Sequence, residues 1–201
     1  MKAQSNLKLT DYYNNPSSYN PAYIGVTEGM FLKGYYTSQW TDFEGSPSTQ
    51  VVDLQNNFDN KNMAVGISIL NDTFGALKNL KTDVNFSLNF KSSQDISFSL
   101  GLKAGINSFS TDYQNLNILD RSEFVFNENI SKIIPLVGVG FYTHGDNWFL
   151  GISSPNIIEN KVSTESDEVL FKSTNQYFSS FGYNFYLDDF LFKISIVFIN
   201  V

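Results

Sequence analysis

Apolar and polar residues alternate along most of the chain. In Val84-Asn85-Phe86-Ser87-Leu88-Asn89-Phe90-Lys91 every second residue is apolar, and Ile96-Ser97-Phe98-Ser99-Leu100-Gly101-Leu102-Lys103 repeats the pattern. Phe190, Phe192, Ile194, Ile196 and Phe198 form a third such row, although Val197 and Ile199 make the row opposite less polar. A helix needs apolar residues three and four apart, so period two predicts strands. The pattern places them at residues 28–40, 48–58, 63–72, 81–91, 96–108, 134–144, 147–154, 176–187 and 190–200. Most exceed the 5–6 residues of a globular strand and approach the 9–11 of a tilted transmembrane strand.

The polar rows hold Asn, Ser, Gly, Gln and Lys, as where Asp53, Gln55 and Asn57 oppose Val52, Leu54 and Phe58. A row that is mostly neutral and small suits a hydrated interior better than a solvated outer face. Connections at 59–62, 92–95, 145–146 and 188–189 read as tight turns. Those at 41–47, 73–80, 109–133 and 155–175 read as longer loops. Strict alternation of short and long links is the build of an outer-membrane barrel, tight turns on one side and long loops on the other. Aromatics near strand ends (Tyr36, Trp40, Phe58, Phe141, Tyr142, Trp148, Tyr177, Tyr186) are candidates for interfacial girdles. Nine strands would leave two open edges in lipid, which hydrocarbon does not tolerate. The reading is therefore all-β, an antiparallel transmembrane β-barrel of outer-membrane type, incomplete in this chain. Residues 1–27 are an N-terminal segment packed inside the barrel as a plug or against it as a periplasmic strap, and 28–201 carry the barrel, with long outer loops 109–133 and 155–175.

Composition narrows the classes further. The 201 residues carry 13 Lys+Arg against 20 Asp+Glu, a net charge of −7, which excludes nucleic acid as a partner. Aromatic and charged residues each make up 16% of the chain, against about 25% charged in an average soluble domain. No run approaches the roughly 18 apolar residues of a membrane helix. There is no Cys, hence no disulfide, thiol chemistry or Cys-ligated zinc. Met1-Lys2-Ala3-Gln4 is too short for a signal peptide, so the reading takes a removed signal and an outer-membrane location.

Asn20-Pro21-Ala22-Tyr23-Ile24-Gly25 resembles the PorP/SprF family of outer-membrane proteins of the type IX secretion system. Tyr36-Thr37-Ser38-Gln39-Trp40 and Gly45-Ser46-Pro47-Ser48-Thr49 resemble its Gln-Trp strand end and Gly-x-Pro-x-Thr loop. Leu70-Asn71-Asp72-Thr73-Phe74-Gly75, Leu100–Gly105, Gly138–Tyr142 and Phe149–Asn156 resemble later strands, so that the likeness runs over residues 12–198. Thr37 departs from the Arg of many relatives, and relatives run on further. The resemblance implies a non-enzymatic barrel that engages outer-membrane lipid and either a type IX secretion component or a secreted surface adhesin. Asn20, Pro21, Ala22, Tyr23, Gly25, Gln39, Trp40, Gly45, Pro47 and Thr49 are its candidate residues, architectural or partner-binding. Read from the residues, Pro21 presets the chain, Gly25 allows a turn before the first strand, and Pro47 stiffens the loop into the second.

No catalytic residue, cofactor or metal site is assigned. His144 is the only imidazole and sits beside a turn, and no phosphate loop, His-x-x-His or calcium loop occurs. Asp188-Asp189 and Asp167-Glu168 read as ordinary turn acids. Two other classes stay open: a porin or hydrophobic-solute channel, and a soluble β-barrel or sandwich with an apolar ligand. Facing is testable: Phe86→Arg should block membrane assembly, while Asn85→Arg should be tolerated.

Overall fold

The computed structural model describes residues 15–26, 28–40, 45–92, 95–111, 131–163, 169–173, 175–187 and 190–200. The strands are β1 (Met30–Ser38), β2 (Ser48–Phe58), β3 (Met63–Phe74), β4 (Leu77–Lys91), β5 (Ser97–Thr111) and β6 (Ser131–His144), then β7 (Trp148–Ser154), β8 (Asn160–Ser163), β9 (Val169–Ser173), β10 (Tyr177–Leu187) and β11 (Phe190–Asn200). One nine-stranded sheet has the order β1-β2-β3-β4-β5-β6-β7-β10-β11, with every pairing antiparallel.

The nine expected strands are those of this sheet, but two connections differ from expectation. Residues 73–80 are not a long loop: β3 and β4 extend to Phe74 and Leu77 and join through Gly75-Ala76, with Gly75 at φ 56°. The strict short–long alternation fails there. The stretch 155–175 holds the extra β8–β9 hairpin. Of the span 109–133, residues 112–130 lie outside the described residues, as do the Asp188-Asp189 and Asp167-Glu168 pairs.

Register aligns the two faces. Phe86 stands opposite Leu102 and Leu88 opposite Leu100 on one face; Asn85 opposes Lys103 and Ser87 opposes Gly101 on the other. The apolar face is open to the surroundings, with Val84, Leu88, Phe90, Leu100, Ile106 and Ile152 all exposed. The polar face is covered, and Asp83, Asn85, Ser87, Ser99, Lys103 and Ser180 are buried. Burial of polar groups beneath exposed apolar ones is the reverse of a soluble sandwich and is the arrangement of a membrane barrel wall. On β4 the outward apolar residues run from Leu80 to Phe90, ten steps of about 3.3 Å, or about 25 Å of height at the usual tilt.

The sheet is curled. Residues 15–26 form a short helix α1 (Pro16–Tyr19) and a 3-10 helix (Pro21–Gly25). This one segment touches β2 through Asp53, β4 through Ser87, β5 through Lys103, β6 at the Phe141 carbonyl and β10 through Phe178. In a flat sheet β2 and β10 would lie about 29 Å apart, beyond the reach of twelve residues folded into two turns. The strands therefore wrap around the segment, and its burial forms the lumenal core.

Girdle candidates divide. Tyr36, Trp40 and Tyr177 are exposed at the long-loop end, and Phe58 at the tight-turn end. Tyr142 is not a girdle residue; it is buried on the inner face. Val197 and Ile199 face inward, where they pack against Tyr19 and Phe178, which explains the apolar row on that strand. Asn85 is also buried, so Asn85→Arg is not expected to be tolerated as its polar row alone implied.

Candidate functional site

The lumen is lined by side chains that bind the backbone of residues 15–26. Lys103 Nζ donates to the Ser18 carbonyl at 2.7 Å, Asn57 Nδ2 to the Gly25 carbonyl at 2.9 Å, and Ser87 Oγ to the Ala22 carbonyl at 3.4 Å. In the other direction, Asn15 Nδ2 donates to Asp53 at 2.9 Å and Asn20 Nδ2 to the Phe141 carbonyl at 3.0 Å. The carbonyls are available because the segment is too short to satisfy them within its own helical turns.

Charge is concentrated on one side. Lys103, 2% exposed, lies 3.4 Å from Asp83, which also meets Lys81 at 3.7 Å and accepts from Asn85 at 3.0 Å. A buried ammonium is costly unless it is paired and hydrogen-bonded. Here the carboxylate and the Ser18 carbonyl both take one. The opposite side is apolar: Tyr19 stacks on Phe178 with centroids 5.2 Å apart. Burial, reinforced by Tyr23, pushes the Tyr19 phenol up to about 12 against the pull of its hydrogen bond with Ser180, so it stays neutral.

Close approach is the third device. A Cβ on Gly101 would collide with the backbone of Pro21 and Ala22, and one on Gly140 with the Asn20 side chain. These two strand positions form a smooth floor for the 3-10 helix. Gly25 works likewise. It is not at positive φ and makes no special turn; its missing Cβ leaves space for Asn89.

The candidate residues therefore fall in two places. Asn20 accepts from the Ala22 N–H at 3.0 Å, capping the 3-10 helix that Pro21 opens. Asn20, Pro21 and Ala22 are all buried, and Tyr23 meets Tyr142 edge to face at 5.2 Å. The others, Gly25 apart, sit at the long-loop rim. Gln39 N–H bonds the Pro47 carbonyl, Gly75 N–H bonds the Gly45 carbonyl, and Thr49 Oγ1 donates to Asp72 at 2.7 Å. Trp40 projects outward, 70% exposed, at φ 55°. Sequence reasoning did not single out Lys103, Asp83, Asn15, Asp53 or Tyr19. The available signal was Asp53 and Lys103, each the one charged residue of its strand, and Asp83 beside Lys81 in the polar row of β4.

His144 ends β6, half-buried, 6.1 Å from the Tyr142 ring. Among the described residues no group of three His, Cys, Asp or Glu could hold a metal ion. No helix among the described residues is long and apolar enough to cross a membrane.

Comparison with known proteins adds three findings. The family described as type IX secretion system membrane protein PorP/SprF matches residues 1–201. No curated protein matches. A solved structure, the β domain of the Bordetella autotransporter BrkA, is similar over 85% of this chain and 78% of its own, with 9% identity and a TM-score of 0.41.

Proposed function

Because the chain belongs to the PorP/SprF family of type IX secretion system membrane proteins, we propose that it is a non-enzymatic outer-membrane barrel that engages a secretion component or anchors a secreted surface adhesin. The observation that carries this over the channel reading is the occupied lumen. Residues 15–26 sit where a porin keeps water, and the polar wall spends its hydrogen bonds on them. In this reading the segment is a plug, and the partner docks on the rim, where Trp40 stands exposed beside the locked Gly45–Gly75 and Thr49–Asp72 contacts.

The test is capture of the tagged chain from detergent-extracted outer membranes. Recovery of a type IX component or surface adhesin, reduced by Trp40→Ala, is the expected result. Recovery of neither, together with steady ion conductance in planar bilayers, would favour the channel.

A further inference from the structure

A cavity of about 160 Å³ lies at the tight-turn end of the lumen, where the N-terminal segment leaves the inner wall. Register sets the wall side. Asn89 stands opposite Ser99, and further out Lys91 stands opposite Ser97, which in turn faces His144. This outer row lies past Phe90, the last outward apolar residue of β4, so the cavity opens at the tight-turn edge of the hydrocarbon. Gly25 and Glu28 line it from the segment's side, and Asn57 lines it from β2.

The floor has donors to spare. Ser99 is 2% exposed, and no hydrogen bond satisfies its hydroxyl among the described residues. Buried polar groups are seldom left so. Asn89 Oδ1 accepts from Ser87 at 2.9 Å and Asn57 Oδ1 from Asn89 at 3.3 Å, so both amide oxygens are engaged within the wall. Each amide nitrogen makes one bond, Asn57 to the Gly25 carbonyl and Asn89 to Asn57, and keeps a second proton.

Charge decides the occupant. Among the described residues Lys91 is the one lysine of the lining and Glu28 the one acid, and they form no ion pair with each other. Asp95 and Asp146 border the adjoining hollow, which shares Lys91. With three carboxylates around one ammonium, a plain anion is repelled. A plain cation would leave Lys91 and the spare donors unmatched. We propose that the cavity is a binding site for a small zwitterion, an α-amino acid of alanine's size, which enters from the tight-turn side. Its carboxylate meets Lys91 and the Ser99 hydroxyl, and its ammonium meets Glu28. The volume suits this ligand: it equals the share of about five waters in the liquid, room for about six non-hydrogen atoms. The proposal does not rest on the secretion role.

His144 is the chain's single imidazole and lines the cavity, so its ring gives one resolved proton signal that reports occupancy. The full chain, folded in dodecyl maltoside micelles near neutral pH, is titrated with L-alanine, with propionate and with alaninamide. Alanine should shift the His144 signal saturably. Propionate and alaninamide each forfeit one charge-assisted contact and should bind about tenfold more weakly. Ser99→Ala should weaken alanine binding about fivefold, the loss of one neutral hydrogen bond, with β-sheet dichroism unchanged. Lys91→Gln should erase the preference for alanine over alaninamide, and Glu28→Gln the preference over propionate. Both residues are exposed, so the fold should persist in these two variants. An alanine response that does not saturate would overturn the proposal. So would propionate binding as well as alanine, which marks an anion site, or alaninamide doing so, which marks a cation site. An alanine titration left unchanged by both Lys91→Gln and Glu28→Gln would also overturn it. None of these outcomes bears on partner capture from membranes.

Discussion

Gly101→Val should expel the N-terminal segment from the lumen. A Cβ at this position lies 2.5 Å from Ala22 Cα, and ordinary contact begins near 3.4 Å. The 3-10 helix must therefore retreat by about 1 Å, because the obstacle is backbone and cannot rotate away. That displacement removes the Ser87–Ala22 contact at 3.4 Å and stretches the Asn20–Phe141 bond from 3.0 Å beyond useful length. Each loss is worth about 1 kcal/mol, and leaving the Asn20 amide buried adds a similar amount, whereas Ser87 keeps its bond to Asn89, so docking weakens by roughly 3 kcal/mol. At about 1.4 kcal/mol per decade, the undocked population rises about 100-fold. The reporter is Ser180→Cys, a near-isosteric change at a buried position covered by Tyr19. Its labelling rate by a charged methanethiosulfonate reads the undocked state. Gly34→Val is the control, since a Cβ there meets only the Val51 carbonyl at 3.7 Å. Equal labelling rates in the Gly101→Val and parent chains, with β-sheet dichroism intact, would refute the close-approach argument.

Three further outcomes follow from the same geometry. Val84→Arg places a cation on the exposed apolar row and should cost about 2–4 kcal/mol if it lies near the bilayer midplane, read as loss of heat-modifiable migration. Lys103→Met should destabilise by about 3–5 kcal/mol because Asp83 is left buried with Lys81, at 3.7 Å, as its one remaining cation among the described residues, while adding Asp83→Leu should restore much of the loss in denaturant titrations. Tyr19→Ala should cost about 3–5 kcal/mol by emptying the contact with Phe178, Val197 and Ile199, whereas Tyr19→Phe forfeits only the Ser180 hydrogen bond, about 1 kcal/mol.

The wall was legible because strand side chains repeat with a fixed period of two. Val84, Phe86 and Leu88 declare one face, and Asn85, Ser87 and Asn89 the other, whatever the sheet does next. The misread loop at 73–80 has a physical cause. Asp72 pairs with Asn79 and Thr73 with Lys78, so the ladder continues through residues with no apolar row. Beyond the hydrocarbon both faces of a strand can be polar, and alternation ceases to mark it. Side-chain bonds then replace the pattern, as between Ser48 and Thr73 at 2.8 Å. The lumen contacts were hidden for a different reason. Lys103 and Ser18 are 85 residues apart, and only closure of the sheet brings them together.

The same geometry separates what the Asn20–Gly25 segment must be from what it could be. Lys103, Asn57 and Ser87 all bond to carbonyl oxygens, which every residue carries. The wall therefore reads the path of the backbone and, through Gly101 and Gly140, its distance from the sheet. Side-chain identity enters where size or capping decides: Ala22 and Gly25 fit against the floor, Asn20 caps, and Pro21 fixes the first turn. The rim motif is read in another way, through the exposed Trp40 and the hydroxyl of Thr49 on Asp72. The inner half of the motif series is thus consumed by the protein's own architecture, and the half left exposed is the rim.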